Sequence, residues 1–118
     1  MRYRTLLAML PLCVVSTAHA HAILDHADPR VGSVVASAPA KLSLWFTQEV
    51  EPAFSKVEVR DLHGTRVDEG SVQVDSADAT LLRIALKPLP TGSYEVRWQV
   101  LSADTHKTEG HFRFDVGK

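Results

Sequence analysis

Sulfur-containing residues are scarce in this 118-residue sequence, and all of them lie near its start. The single cysteine is Cys13, and the two methionines are Met1 and Met9. Residues 21–118 therefore contain neither a thiol nor a thioether, which excludes a disulfide in this part of the chain. A metal ion bound there would have to be held by nitrogen and oxygen donors.

The sequence also has no excess of basic residues and no long hydrophobic run. The 13 Lys and Arg residues are scattered and are balanced by 14 Asp and Glu, which argues against binding to nucleic acid. The longest apolar run, residues 6–15, is too short to be a stable membrane anchor. A hydrophobic content of 45% with 23% charged residues is typical of a single globular domain.

The first twenty residues have the pattern of a secretory signal peptide. Two arginines precede the apolar run, and residues 18–20 (Ala-His-Ala) place small side chains where signal peptidase recognises them. We therefore predict export, removal of residues 1–20 and one domain over residues 21–118, with no membrane span in the mature chain. Two alternatives stay open: cleavage after Ala22, which also ends a small-x-small pattern, and an uncleaved segment that forms part of the core.

Helical periodicity is missing from residues 21–118, and glycine or proline interrupts the chain too often for long helices. Apolar and polar residues instead alternate, most clearly from Tyr94 to Val100, as they do in a half-buried strand. The pattern predicts strands at Lys41–Phe46 and at residues 55–62, 80–86, 93–101 and 111–116. Several short strands at this spacing indicate an all-β sandwich of two packed sheets with Greek-key connections.

Five of the six histidines follow residue 20, and His21 is the most informative of them. If cleavage follows residue 20, His21 becomes the first residue of the chain. Its amine and its imidazole can then close on one metal ion as a chelate, provided that both are deprotonated. The alternative is that a terminal histidine is accidental.

Asp104 and His106 form a second candidate set of ligands. Residues at i and i+2 of an extended segment project to the same side, so these two side chains could converge on one point. Taken alone, the motif also fits a solvated loop or an aspartate that orients a histidine. Together with His21, it would supply two imidazoles, an amine and a carboxylate. This donor set favours Cu(II), with Zn(II) as the main competing ion, and should bind Cu(I) poorly.

Longer motifs extend over nearly all of residues 21–118. They are His21-Ala, Asp28-Pro-Arg-Val-Gly32, Ala38-Pro-Ala-Lys-Leu-Ser-Leu-Trp-Phe46, Pro88-Leu-Pro-Thr-Gly-Ser-Tyr-Glu-Val-Arg-Trp98, Val100-Leu-Ser-Ala-Asp-Thr-His106 and Gly110-His-Phe-Arg-Phe-Asp-Val116. In these motifs the sequence resembles the CopC family of periplasmic copper-binding proteins.

The resemblance implies a seven-stranded, Ig-like Greek-key β-barrel or sandwich that binds one Cu(II) ion per chain. The implied ligands are the amine and imidazole of His21, the imidazole of His106 and the carboxylate of Asp104. Some members add an acidic ligand after an early strand, where this sequence has Gln48 followed by Glu49. A contribution from these two residues is left open. Some members also carry a methionine-rich Cu(I) loop, which is missing from this sequence.

The resemblance also implies a function. We expect a non-catalytic, monomeric carrier in the periplasm that serves copper buffering, copper resistance or delivery of copper to an inner-membrane copper-transport partner. Two other classes stay open: a small copper-dependent oxidase with a histidine-brace site, and a metal-free β-sandwich interaction module. His26, five residues after His21, is also left open as a ligand.

Overall fold

The computed structural model describes Pro11 and residues 21–117, so the predicted signal peptide lies outside the described residues apart from Pro11. Within residues 21–117 the strands are β1 (Leu24–Asp28), β2 (Val34–Val35), β3 (Lys41–Phe46), β4 (Lys56–Asp61), β5 (Asp68–Val74), β6 (Leu81–Leu86), β7 (Gly92–Leu101) and β8 (Lys107–Val116). A short 3-10 helix, Pro52–Phe54, separates β3 from β4. In this part of the chain no helix is long and apolar enough to cross a membrane.

The strands form two four-stranded sheets that enclose the core. The first sheet has the order β1-β3-β6-β5 and is antiparallel. The second has the order β2-β8-β7-β4 and is antiparallel except for the β2–β8 pair. If β1 and β2 are taken as two parts of one first strand, this is the strand order of a seven-stranded immunoglobulin-type sandwich. The prediction of an all-β sandwich is confirmed, and the eighth strand arises because the first one is divided between the sheets.

The five strands predicted from alternation are all present, and most of their bounds agree within one residue. The largest difference is at β8, which begins at Lys107 instead of residue 111 and so shortens the preceding loop. The alternation did not reveal β1, β2 or β5. In β5, Gly70 has a φ of +85° and the pairing register shifts between Asp68 and Val72, which breaks the period of two. In β1 a similar shift interrupts a strand rich in charged residues, and β2 has only two residues.

Aromatic side chains occupy the centre of the core. Trp98 packs edge-on against Phe46 with ring centroids 5.2 Å apart, and Tyr94 stacks on Phe114 at 5.6 Å. The Tyr94 hydroxyl donates a hydrogen bond to the carbonyl of Pro90, as in the tyrosine corner of immunoglobulin-like sandwiches. The buried core residues of the described chain run from Ala22 to Val116, so residues 21–117 contain both sheets and the core between them.

Close packing against Trp98 leaves no room for a side chain at position 110. Gly110 lies opposite Trp98 in the β7–β8 pair, and a Cβ atom there would come within 2.5 Å of Cζ2 of the indole. We expect Gly110→Ala to lower the free energy of unfolding by about 1–3 kcal/mol, because the indole would have to move within a packed core. Urea unfolding of the variant measures the loss.

Gly92→Ala is the matched control for this prediction. Gly92 lies in β7 and belongs to the same β7–β8 pair as Gly110, but a Cβ atom there would be 4.0 Å from its nearest neighbour, the Tyr94 hydroxyl. The same substitution should therefore be close to neutral at this site. Equal losses at the two positions would show that strand glycines matter for a reason other than the contact with Trp98.

Candidate metal site

Two of the predicted ligands, His21 and His106, lie side by side at one end of the sandwich. His106 ends the loop between β7 and β8, and His21 precedes β1 of the other sheet. Their imidazole rings meet edge to face, with centroids 4.8 Å apart and an angle of 82° between the planes. The fold therefore joins two imidazoles that are far apart in the sequence.

The position of His21 depends on how the next two residues are held. Ala22 is completely buried, and its carbonyl accepts a hydrogen bond of 2.5 Å from the hydroxyl of Thr108. The Thr47 hydroxyl accepts a bond from the amide of Ile23 at 3.0 Å and donates to the carbonyl of His21 at 3.3 Å. The Thr47 amide donates to the carbonyl of Ile23 at 2.8 Å. These bonds attach the first residues of the domain to both sheets.

A tight turn brings Asp104 beside His106. Ser102 is buried, its amide donates to the carbonyl of His106 at 2.9 Å, and its hydroxyl oxygen accepts from the amide of His106 at 3.3 Å. Thr105 takes a φ of +71°, in the left-handed region, and its amide donates to the carbonyl of Ser102 at 2.9 Å. As a result, Oδ2 of Asp104 lies 3.2 Å from Nδ1 of His106. The two side chains converge as expected, but through a turn instead of an extended segment.

The carboxyl group of Asp104 is stabilised in its charged form. A hydrogen bond from the Ser102 hydroxyl lowers its pKa, partial loss of hydration raises it, and the side chain and amide of His106 lower it further. The net effect is a pKa below the ordinary value of 3.8, so Asp104 is ionised at neutral pH. A negative charge beside His106, whose ring adjoins that of His21, favours a cation at this end of the sandwich.

The described residues do not form a finished metal site. Among them, no three His, Cys, Asp or Glu side chains are grouped so that they could hold a metal ion. The structure provides two adjoining imidazoles and one carboxylate beside His106. The remaining donor of the predicted set is the main-chain nitrogen of His21, which is an amide while residue 20 precedes it. The complete set would therefore require both a cleaved chain and a local adjustment of these side chains.

The three residues left open as further ligands have other surroundings. The ring of His26 stacks on Trp45 with centroids 4.3 Å apart, and its Nδ1 lies 2.6 Å from Oδ2 of Asp25. Trp45 is only partly buried, unlike the core residue Trp98, so the stacked pair of His26 and Trp45 forms part of the surface.

Gln48 and Glu49 lie in the exposed segment after β3, next to the loop that carries Asp104. The carbonyl of Glu49 accepts a bond from the amide of Ala103 at 3.0 Å, and the adjoining Val50 forms a bridge with Ser102. Their backbone therefore borders the candidate site, while both side chains face solvent.

A family model, described as CopC domain, matches residues 24–117 and so covers most of the chain. The chain belongs to the CopC family. The match begins three residues after His21 and includes the loop that carries Asp104 and His106.

Individual relatives agree with this assignment. The crystal structure of CopC from Methylosinus trichosporium OB3b has a TM-score of 0.77 and 33% identity, covering 81% of this chain and 93% of that chain. PcoC from Escherichia coli, described as a methionine-rich copper resistance protein, has a TM-score of 0.70 and 31% identity, covering 82% of this chain and 99% of that chain. The copper transport protein CutJ of Bacillus subtilis (strain 168) is 30% identical over 99% of this chain, which spans only 22% of its length.

Three hydroxyl residues organise the backbone of the candidate site, although the sequence pattern assigns them no role. Ser102 lies within the resemblance motif, Thr47 directly follows the predicted strand Lys41–Phe46, and Thr108 lies in the loop predicted between residues 101 and 111. A single serine or threonine forms no periodic pattern and no spacing motif that would identify it in the sequence. Their importance follows only from the topology, which places the end of β3 and the start of β8 against residues 21–23.

Proposed function

We propose that this CopC-family protein is a non-catalytic carrier of one Cu(II) ion in the periplasm. Residues 1–20 act as the export signal, and their removal makes His21 the first residue. The ion is held by the amine and imidazole of His21, the imidazole of His106 and the carboxylate of Asp104. The observation that carries this proposal is the 4.8 Å separation between the His21 and His106 rings.

The chemistry of the donors supports Cu(II) over other ions. Nitrogen and oxygen donors suit Cu(II), which binds more strongly than other divalent ions of the first transition row. Cu(I) prefers thiolate and thioether ligands, and residues 21–118 contain neither. The contrast with PcoC, whose description specifies that it is methionine-rich, supports a carrier restricted to Cu(II).

A carrier is favoured over an oxidase by the position of Asp104. This ionised carboxylate lies directly against His106, where it can occupy a coordination position that an oxidase would leave open for oxygen. The name of CutJ, a copper transport protein that is much longer than this chain, supports delivery of copper to a membrane transport partner. The carrier acts as a monomer in this proposal.

A competitive Cu(II) titration of the chain beginning at His21 tests the proposal. We expect His106→Ala to weaken Cu(II) binding by about a hundredfold, the effect of losing one of four donors from a metal site. His111→Ala is the control, because His111 is exposed on β8 and lies opposite Arg97. It should leave the affinity unchanged.

Thermal unfolding in the same samples distinguishes a copper-binding protein from a metal-free interaction module. An ion that binds only the folded state must raise the melting temperature of the parent chain, and this shift should be much smaller in His106→Ala. Equal affinities in the two histidine variants would contradict the proposed ligand set. Failure of the parent chain to bind Cu(II) would favour a metal-free interaction module.

A further inference from the structure

We propose that Thr47 and Thr108, here called the threonine clamp, are positioning residues for Cu(II) binding. They hold residues 21–23 so that the amine of His21 is presented next to His106 before the metal arrives. This inference rests on the proposed function, because it concerns the terminal amine as a ligand. It assigns the clamp no direct bond to the metal.

The clamp fixes the backbone at successive points. Thr108 holds the carbonyl of Ala22, while the Thr47 hydroxyl holds the carbonyl of His21 and the amide of Ile23. The Thr47 amide adds a bond to the carbonyl of Ile23. The side chain of Ala22 is completely buried in the core (0% exposed). Residues 21–23 therefore cannot shift along the sheets without losing both this burial and the hydrogen bonds.

A held terminus matters because the first residues of most domains are poorly ordered unless something fixes them. A mobile His21 would have to be ordered when the ion binds, and that entropy loss would weaken the affinity. In this fold, residues 21–23 become ordered when the protein folds, so metal binding does not carry this entropy loss. Substitution of groups that orient a metal ligand commonly costs about 10- to 100-fold in metal affinity.

The hydroxyl group of Thr47 can be removed with little other change. Thr47→Val keeps the branched shape and the backbone bond to Ile23 but loses the two hydroxyl contacts. Thr47→Ser keeps the hydroxyl and should restore binding. Thr65→Val is the matched control, because Thr65 lies in the β4–β5 turn at the end of the sheet opposite His106.

In the chain beginning at His21, we expect Thr47→Val to weaken Cu(II) binding about tenfold or more, with recovery in Thr47→Ser. Thr108→Val, which removes the bond to Ala22, should act in the same direction. Thr65→Val should bind like the parent. Urea unfolding without copper, done in parallel, establishes that every variant is folded at the temperature of the titration.

A second set of titrations distinguishes positioning from a general structural effect. In a chain with one alanine added before His21, the clamp still holds the residue that carries the imidazole but no longer presents a terminal amine. Thr47→Val should then weaken Cu(II) binding clearly less than it does in the chain beginning at His21. The clamp is refuted if Thr47→Val weakens binding equally in both chains, or leaves it unchanged in the chain beginning at His21.

This design also separates the clamp from the proposed function. If the added alanine leaves Cu(II) affinity intact, the amine is not a ligand and both ideas fail. If the added alanine abolishes tight binding and Thr47→Val has no effect, the ligand set stands and only the clamp is wrong.

Discussion

A chain with one extra alanine before His21 is expected to bind Cu(II) about a thousandfold more weakly than the chain that begins at His21. The added residue converts the amine of His21 into an amide, which must lose a proton before it can bind a metal ion. It also moves the terminal amine to a residue that precedes the positioned segment, so the amine–imidazole chelate of His21 is lost. A thousandfold loss corresponds to about 4 kcal/mol, which exceeds the hundredfold effect of losing a single donor because the chelate is lost together with the amine.

The experiment requires a control that adds the same residue elsewhere. An alanine added after Lys118 keeps the composition and leaves the His21 amine intact, so its affinity should match that of the parent. The fold should persist in both chains, because the core begins at Ala22. Equal and tight binding by all three chains would show that the amine is not a ligand.

The position of signal-peptide cleavage provides a second test of His21 as a metal ligand. A chain that begins at Ile23, as cleavage after Ala22 would produce, lacks both donors of His21. It should bind Cu(II) at least as weakly as the chain with the added alanine. Mass spectrometry of the exported protein identifies the residue at which the natural chain begins, and Ile23 at that position would overturn the proposed site.

Alternation predicted the strands that face the core on one side and solvent on the other. In β7, Tyr94, Val96 and Trp98 are buried while Arg97 is exposed, as their spacing requires. The same reasoning could not find β5, because its pairing is interrupted near Gly70 and Asp68 there faces a polar network instead of the core.

The candidate site, like the fold, could be predicted only in part from the sequence. Sequence could nominate His21, Asp104 and His106, since a terminal histidine and an Asp-x-His motif are visible in a linear chain. It could not establish that the first and last of these meet, because that contact joins the two sheets through the topology. The roles of Thr47 and Thr108 depend on the same contacts between residues distant in the sequence, and no local sequence pattern indicates them.

Asp68→Ala is expected to lower the free energy of unfolding by about 3 kcal/mol. Asp68 is buried in β5, and its carboxylate accepts bonds from the amide of Val59 in β4 at 2.8 Å and from the amide of Gly70 at 2.8 Å. Removing the carboxylate leaves both amides without their acceptor, at about 1–3 kcal/mol each. Arg66, which also bonds Asp68, is 41% exposed, so water can replace its lost contact.

The comparison variant is Asp75→Ala, which removes another aspartate paired with an arginine. Asp75 bonds Arg83 within the first sheet at the protein surface. Asp68 instead joins β5 of the first sheet to β4 of the second. Urea unfolding near neutral pH should therefore show a much smaller loss for Asp75→Ala. Comparable losses would mean that the link between the sheets contributes little.

The hydrogen bonds to Asp68 should also make the free energy of unfolding depend on pH. Burial raises the pKa of Asp68, but the bonds from Arg66, Val59 and Gly70 outweigh it and hold the pKa below 3.8. A carboxyl group whose pKa is lowered by folding stabilises the protein fully above its unfolded value, and this contribution is lost as the pH falls through the folded value. Parent stability should therefore decline below pH 3.8 more steeply than that of Asp68→Asn, which has no proton to gain there. Parallel pH profiles of the two proteins would show that Asp68 is not the group responsible.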